Sequence, residues 1–375
     1  MTHKIARFLE EQRPATPCLV FDLDVVEENY ADIRHAMPDA HIYYAVKANP
    51  APEILARLAK LGSCFDTASV AEIRMALAAG ARPEHISFGN TIKKQVDIAT
   101  AYALGVRLYA FDSEAELNKL AESAPGSQVF CRILTSGVGA DWPLSRKFGC
   151  DVEMAESLLK AAPGKGLTPI GVSFHVGSQQ RDPEQWDNAL AQTADLFRRL
   201  EAAGVHLTLV NLGGGFPTKY RRDVPTANAY GTAIRESLAR HFGNRLPETI
   251  IEPGRGMVGN AGVIQTEVVL ISRKSANDNR RWVFLDIGKF GGLAETMDEA
   301  IQYPITSDRQ GPTEAVILAG PTCDSADVLY EKADYQLPLS LQIGDRLEIK
   351  ATGAYTTTYS AVAFNGFQPL EAYYI

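Results

Sequence analysis

The stretch Ile42-Tyr43-Tyr44-Ala45-Val46-Lys47-Ala48-Asn49-Pro50 carries the pattern on which most of the chain is built. Its first five residues are apolar, β-branched or aromatic, and too few for a helix, so they read as a buried strand. Ala48-Asn49-Pro50 cannot continue that strand, which leaves Lys47 where the strand emerges. Alone, a lysine at a strand end reads as an ordinary surface side chain. The rest of the chain changes that reading, because the same arrangement recurs seven more times.

Strand-like segments at 64–67, 86–90, 107–112, 128–134, 169–177, 208–213 and 248–252 alternate with helix-like stretches such as 52–61, 69–79 and 183–203. In the last of these Trp186, Leu190, Ala194, Phe197 and Leu200 trace one apolar stripe at helical spacing. Eight such units in about 220 residues predict a (β/α)8 barrel.

Polar and reactive residues collect at the carboxyl ends of the strands: Lys47, Asp66, Asn90, Asp112, Arg132, His175, the run Gly213-Gly214-Gly215, and Glu252 with Arg255. Each alone has a plain explanation, a helix cap for Asp66 or Asp112 and a core histidine for His175. Together they describe the catalytic mouth of a barrel. The glycines and Arg255 follow strands seven and eight, where such barrels bind phosphate. Three glycines admit a close anion, and a guanidinium offers a fixed fork of donors. A tight turn is the plain alternative for the glycines. A lysine able to form a Schiff base, a phosphate cradle and a carboxylate facing one cavity point to pyridoxal 5'-phosphate, with Glu252 as the partner that keeps the pyridine nitrogen protonated. The adjacent pyridinium would favour ionised Glu252.

The same residues carry a resemblance. Tyr44-Ala45-Val46-Lys47-Ala48-Asn49, Phe65-Asp66-Thr67-Ala68-Ser69, Lys147-Phe148-Gly149, Ser173-Phe174-His175-Val176-Gly177-Ser178, Gly213-Gly214-Gly215-Phe216, Glu252-Pro253-Gly254-Arg255, Gly320-Pro321-Thr322-Cys323-Asp324 and Phe364-Asn365-Gly366-Phe367 occur in order along the chain. In these motifs it resembles the barrel-fold, pyridoxal-phosphate-dependent basic amino acid decarboxylases, and most closely their ornithine decarboxylase branch.

The resemblance implies Lys47 as the Schiff-base lysine, His175 as an imidazole stacked on the cofactor ring, and Glu252 as the pyridinium partner. It implies Ser178, Gly213, Gly214, Gly215, Arg255 and Tyr355 as phosphate ligands, and places Asp66 and Glu72 near the lysine and ring. Cys323 resembles the residue that governs reprotonation after carbon dioxide leaves, and Asp324 one that receives the substrate's distal ammonium. It further implies a homodimer with shared active sites, Cys323 and Asp324 coming from the partner, and Lys147 meeting Asp327 across the interface. No metal is expected.

From about residue 261 the pattern changes to alternating strands at 263–271, 281–286, 315–318, 346–352 and 361–364. The expected organisation is a barrel over 24–260 and a β-sandwich or β-barrel domain built from 1–23 plus 261–375. The family pairs an N-terminal strand, here 18–21, with the C-terminal sheet, in a fold shared with alanine racemase.

Composition is that of a globular enzyme: 375 residues, 46% hydrophobic and 22% charged. A net charge of −8 argues against a nucleic acid partner and is compatible with a small cationic substrate. Cys18, Cys64, Cys131, Cys150 and Cys323 lie far apart without CxxC spacing, so neither a zinc site nor a disulfide framework is indicated. The polar N-terminus lacks a signal-peptide core and no apolar run reaches membrane-spanning length, so a cytoplasmic protein without a membrane partner is expected.

The segment Gly288-Lys289-Phe290-Gly291-Gly292-Leu293-Ala294-Glu295-Thr296-Met297-Asp298-Glu299 bears on the substrate. Diaminopimelate decarboxylases, which share the barrel, usually have Glu where Asp324 stands and an arginine-bearing segment for the second carboxylate. Here the stretch is acidic. Asp324 with Glu295 or Asp298 would welcome an ammonium and repel a carboxylate. A solvated helix face is the plain alternative for Glu295, Asp298 and Glu299. Ornithine, giving putrescine in polyamine biosynthesis, is the first expected substrate. Lysine, giving cadaverine, is second, since one methylene separates substrates by only roughly 1–3 kcal/mol. Meso-diaminopimelate decarboxylation is the alternative. Racemisation conflicts with Glu252, because alanine racemases face the pyridine nitrogen with arginine. A non-catalytic regulatory relative would have lost Lys47 or Cys323.

Overall fold

The protein is described by a computed structural model over residues 1–142 and 147–375. The chain divides into two units. One comprises Glu27–Pro217 and Val224–Met257, and the other Met1–Val26, Thr218–Asp223 and Val258–Ile375. The strip Thr218–Asp223, expected within the barrel stretch, is part of the second unit.

In the first unit, eight parallel strands among the described residues close into a barrel: Ala40–Ala45, Cys64–Thr67, Ile86–Phe88, Leu108–Phe111, Gln128–Arg132, Thr168–Ser173, Leu209–Asn211 and Glu248–Ile251. The last pairs with the first, Thr249 opposite Ala40, which removes both sheet edges. Buried on both faces, these strands are almost continuously apolar. Tyr43, Leu108, Ala110, Phe130, Leu209 and Ile250 form one core cluster drawn from alternate positions of the barrel strands. Polar caps start several of the helices behind the strands. Ser69 Oγ accepts the N–H of Glu72 at 3.2 Å, and Asp151 Oδ1 that of Met154 at 2.7 Å. Several strands stop earlier than the apolar runs suggest, the sixth at Ser173 and the seventh at Asn211. His175 and the glycines therefore stand on loops beyond the strand ends.

The second unit is an eight-stranded sheet. Its path runs Ile305–Ser307, Arg346–Lys350, Gly262–Ser272, Arg281–Leu285, Thr313–Ala319, Val328–Pro338. Cys18–Phe21 joins this sheet, antiparallel to Gly262–Ser272 and parallel to Glu371–Tyr374. The long strand Gly262–Ser272 changes partner along its length. Its first part pairs with Cys18–Phe21, and from Val268 onward it pairs with Arg281–Leu285, with an irregularity between Val268 and Leu270 inside that second pairing. Such an irregularity bends a strand and lets one sheet curl around a single core. Leu19, Ile264, Val283, Leu285, Leu318 and Leu347 fill that core.

One expected strand fails. Residues 361–364 form no strand; Ala363 is left-handed at φ 57° and Val362 is 83% exposed, so this apolar run is surface loop. Three strands of this sheet were not anticipated, Ile305–Ser307, Val328–Pro338 and Glu371–Tyr374.

Candidate active site

Lys47 lies not on the strand but in a single 3-10 turn, Val46–Ala48, just past it. Val46 and Ala48 are buried while Lys47 is exposed, so the turn presents the amine outward from a fixed base. Asn49 holds that base. Its Oδ1 accepts the N–H of Ala51 at 3.2 Å and its carbonyl accepts the hydroxyl of buried Tyr44 at 2.9 Å. The N–H of Ala45 donates to Pro253 O at 3.2 Å, which ties the lysine turn to the loop after the eighth strand.

Two carboxyl groups stand near the lysine. Asp66, on Cys64–Thr67, accepts from Ser87 Oγ at 3.2 Å; burial raises its pKa, against the opposing pull of Lys47, Ser87 and Arg132. Glu72 Oε2 accepts the N–H of Ala68 at 2.6 Å, and burial raises its pKa too, helped by the charge of Asp66. Neither Asp66 nor Asp112 is a helix cap, a role taken by Ser69 and Ser113. Asp112 instead accepts the N–H of Gly149 at 2.8 Å. Burial lowers the pKa of Arg132, while the charges of Glu252, Asp112 and Asp66 sustain its cation.

His175 Nδ1 accepts the N–H of Gly177 at 3.0 Å, so in the neutral ring the proton sits on Nε2. Burial, then the positive charges of Arg132 and Lys47, push its pKa well below the usual value, so the imidazole is neutral at neutral pH. Its carbonyl is held by Thr135 Oγ1 at 2.5 Å. Glu252 follows the Glu248–Ile251 strand. Burial and the neighbouring Asp66 charge push its pKa up to about 7, against the hydrogen bond from Asn211 and the charges of Lys47 and Arg132. Without a cationic ring beside it, this carboxyl is poised rather than firmly ionised.

Arg255 is 4% exposed and its Nη2 donates to Ser178 Oγ at 3.1 Å, so two of the expected phosphate ligands meet. The glycine run has a reason beyond an anion's approach. A Cβ on Gly213, Gly214 or Gly215 would come within 2.1, 2.7 or 2.6 Å of the carbonyl oxygens of Phe174, Glu252 and Gly177 respectively. Gly213 is also left-handed at φ 67°. The packing that brings the sixth, seventh and eighth strand ends together thus requires glycine. The N–H of Gly213 donates to Asn211 Oδ1 at 2.9 Å and so is already engaged within the protein.

Lys47, Asp66, His175, Ser178, Gly213, Gly214, Gly215, Glu252 and Arg255 thus all stand at the strand ends of the barrel unit. Asn211 was missed. A lone polar residue closing an apolar strand just before a glycine run was the signal that would have found it.

The other expected residues belong to the second unit. Cys323 is exposed, its N–H held by Asn365 Oδ1 at 3.1 Å, and exposed Asp324 turns Oδ1 to the N–H of Ala326 at 2.8 Å. Tyr355 is left-handed at φ 55°, its ring 5.6 Å from that of Tyr359. The three acids of 294–299 have three fates. Glu295 is buried, Asp298 is exposed, and Glu299 accepts the N–H groups of Glu331, Lys332 and Ala333 at 2.8, 2.7 and 2.6 Å. Burial alone would raise the pKa of Glu299, but those three donors bring it below the usual value. Neither Glu295 nor Glu299 is a solvated helix face. Asp327, expected to meet Lys147 across an interface, is 2% exposed and engaged by donors of its own unit.

Comparisons with known proteins agree on one family. The profile described as pyridoxal-dependent decarboxylase, pyridoxal binding domain, matches residues 23–259. A lysine/ornithine decarboxylase of Selenomonas ruminantium is 37% identical over 369 residues, covering 98% of this chain and 91% of that one. The crystal structure of a lysine/ornithine decarboxylase from Vibrio vulnificus complexed with cadaverine superposes with a TM-score of 0.90 at 27% identity, covering 100% of this chain and 99% of that one. The arginine decarboxylase of Paramecium bursaria Chlorella virus does so with a TM-score of 0.91, also at 27% identity, with 100% of both chains covered.

Proposed function

The chain belongs to the pyridoxal-dependent decarboxylases, with pyridoxal 5'-phosphate as cofactor and basic amino acids as the family's substrates, and from that premise we propose that it converts L-ornithine to putrescine, with L-lysine to cadaverine as a second reaction. The observation that carries the reading is a carboxylate, Glu252, where a racemase would carry a guanidinium. When bound, the cofactor supplies an aldehyde for an amine and a protonated ring that takes up the electrons left when carbon dioxide departs. The protein's residues prepare that event. Lys47 offers the amine from a rigid turn. Glu252 would hold the proton on the bound cofactor's ring nitrogen, and its own pKa, pushed up to about 7 without the cofactor, would be lowered by a cation there. Neutral His175 would face the bound cofactor's ring without adding a competing charge. Ser178, Arg255, the later glycine amides and Tyr355 would hold the phosphate.

The far end of the substrate sets the choice among amino acids. Asp324, with Glu295 or Asp298, receives a distal ammonium, and Cys323 returns a proton to the α carbon. These acids would repel the second carboxylate of diaminopimelate. The active site is shared across a homodimer, and the enzyme works in a reducing cytoplasm.

The test is carbon dioxide release from ornithine, lysine, arginine and meso-diaminopimelate, measured side by side with cofactor bound. Ornithine is expected to give the highest kcat/KM, with lysine next. A preference for arginine or diaminopimelate would overturn the substrate assignment, and bound cofactor with no release from any of the four would favour a regulatory binding protein.

A further inference from the structure

Asn211 closes the Leu209–Asn211 strand and is fully buried. Its carboxamide spans two parts of the site: Nδ2 donates to Glu252 Oε1 at 2.5 Å, and Oδ1 accepts the N–H of Gly213 at 2.9 Å. The second bond fixes the first. A main-chain N–H can meet only the amide oxygen, so the NH2 group must face the carboxylate. The N–H of Glu252 in turn donates to Gly213 O at 2.9 Å, which closes a ring of hydrogen bonds through Asn211, Gly213 and Glu252.

We propose that Asn211 is a positioning residue for decarboxylation: its NH2 group holds Glu252 as a carboxylate against the cofactor's ring nitrogen, while its oxygen anchors the glycine turn beside the phosphate. The inference rests on the reading of Glu252 as the ring partner. Its physical basis is the environment of that carboxylate, which is buried and close to the negative charge of Asp66. Each influence favours a proton on Glu252, and a protonated carboxyl neutralises no pyridinium. A buried donor at 2.5 Å is the contact that opposes them from the carboxylate's own side.

Asn211→Asp separates the two roles. It keeps an oxygen for the Gly213 N–H but sets a second acceptor against Glu252, so the pair must share a proton. The experiment uses pyridoxal 5'-phosphate labelled with 15N at the ring nitrogen, bound to the wild type, Asn211→Asp, Asn211→Ala, Glu252→Gln and the Asn211→Asp/Glu252→Gln double variant. The 15N shift is followed against pH, together with cofactor affinity, kcat and KM.

Asn211→Asp is expected to move the ring signal towards the unprotonated position at neutral pH and to lower kcat at least about tenfold, the scale of a lost hydrogen bond to a charged group, with KM and cofactor affinity within about threefold. Asn211→Ala shifts the signal likewise and also weakens cofactor binding, because Gly213 loses its anchor. On the Glu252→Gln background, Asn211→Asp moves the signal no further. A wild-type signal and kcat in both single Asn211 variants overturns the proposal, as does a fully additive effect in the double variant. A protonated signal in Glu252→Gln itself instead overturns the reading of Glu252.

Discussion

Asp327 Oδ1 accepts the main-chain N–H of Lys289 at 2.8 Å, and the second oxygen of the same carboxylate accepts the N–H and hydroxyl of Thr322 at 3.2 and 2.8 Å. One buried side chain thereby joins the start of the acidic segment to the loop that carries Cys323 and Asp324. Gly288 and Gly320 lie so close that a Cβ on either would come within 2.1 or 2.3 Å of this carboxylate. Asp327→Ala leaves the stranded donors without a partner, at a cost of about 1–3 kcal/mol. A lowered melting temperature, with a larger loss of kcat than of cofactor affinity, is the expected outcome, checked by thermal denaturation and cofactor titration.

The Glu252 carboxyl makes the stability of the cofactor-free chain depend on pH. Its folded pKa of about 7 lies above the 4.5 of an ordinary glutamate, so the folded state binds the proton more tightly. Stability from this group is present below the lower value and is lost as pH rises through the higher one. At 1.36 kcal/mol per pKa unit the loss is up to about 3 kcal/mol near pH 8 and under about 1 kcal/mol near pH 5. Glu252→Gln, which keeps an oxygen for Asn211, should therefore raise the melting temperature of the cofactor-free protein at pH 8 and change it little at pH 5. Equal effects at both values would contradict the linkage.

Asp324→Ala should raise KM for ornithine while leaving the absorbance of the bound cofactor unchanged, because the side chain is assigned to the substrate's far end. Loss of cofactor with unaltered KM in the remaining enzyme would remove Asp324 from that role.

Lys47→Ala should abolish turnover yet fold normally, since the residue is exposed and its aliphatic stem is no part of the apolar core. Mixed with inactive Cys323→Ala chains, it tests the shared site. Random exchange makes half the dimers hybrid, each with one intact site, so activity should return to about a quarter of normal. No recovery, with exchange demonstrated by differently tagged chains, rules out sites built from two subunits.

The barrel was legible because its strands are buried on both sides and therefore apolar over nearly their whole length, as Tyr43-Tyr44-Ala45 and Val129-Phe130-Cys131 illustrate. The ends of those strands were not, since apolarity does not register where a ladder stops. Val328–Pro338 escaped notice because its outward positions carry Glu331, Lys332 and Gln336, which dilute the apolar signal. Residues 361–364 misled in the opposite sense. Their apolar side chains belong to an exposed loop, and a left-handed Ala363 is invisible in composition.

The site shows the same division. Lys47, His175, Glu252 and Arg255 carry chemistry in their side-chain types and could be singled out from order along the chain. Asn211 has no such mark, because its meaning lies in two hydrogen bonds that exist only once strands seven and eight are adjacent. The acids at 295, 298 and 299 looked alike in sequence, and only burial and the backbone partners of Glu299 tell them apart.

The passage of Thr218–Asp223 into the sheet unit limits how this protein can be recombined. Tyr220 of that strip is 7% exposed and packs edge-on to Tyr303 at 5.4 Å, both within the same unit. A chimera that joins this barrel to the sheet of a relative by a single crossover near residue 258 would import a foreign partner for Tyr220. Modular exchange succeeds only if three separate stretches travel together, residues 1–26, 218–223 and 258–375. A working exchange therefore needs paired breakpoints around the short strip as well as one near residue 258.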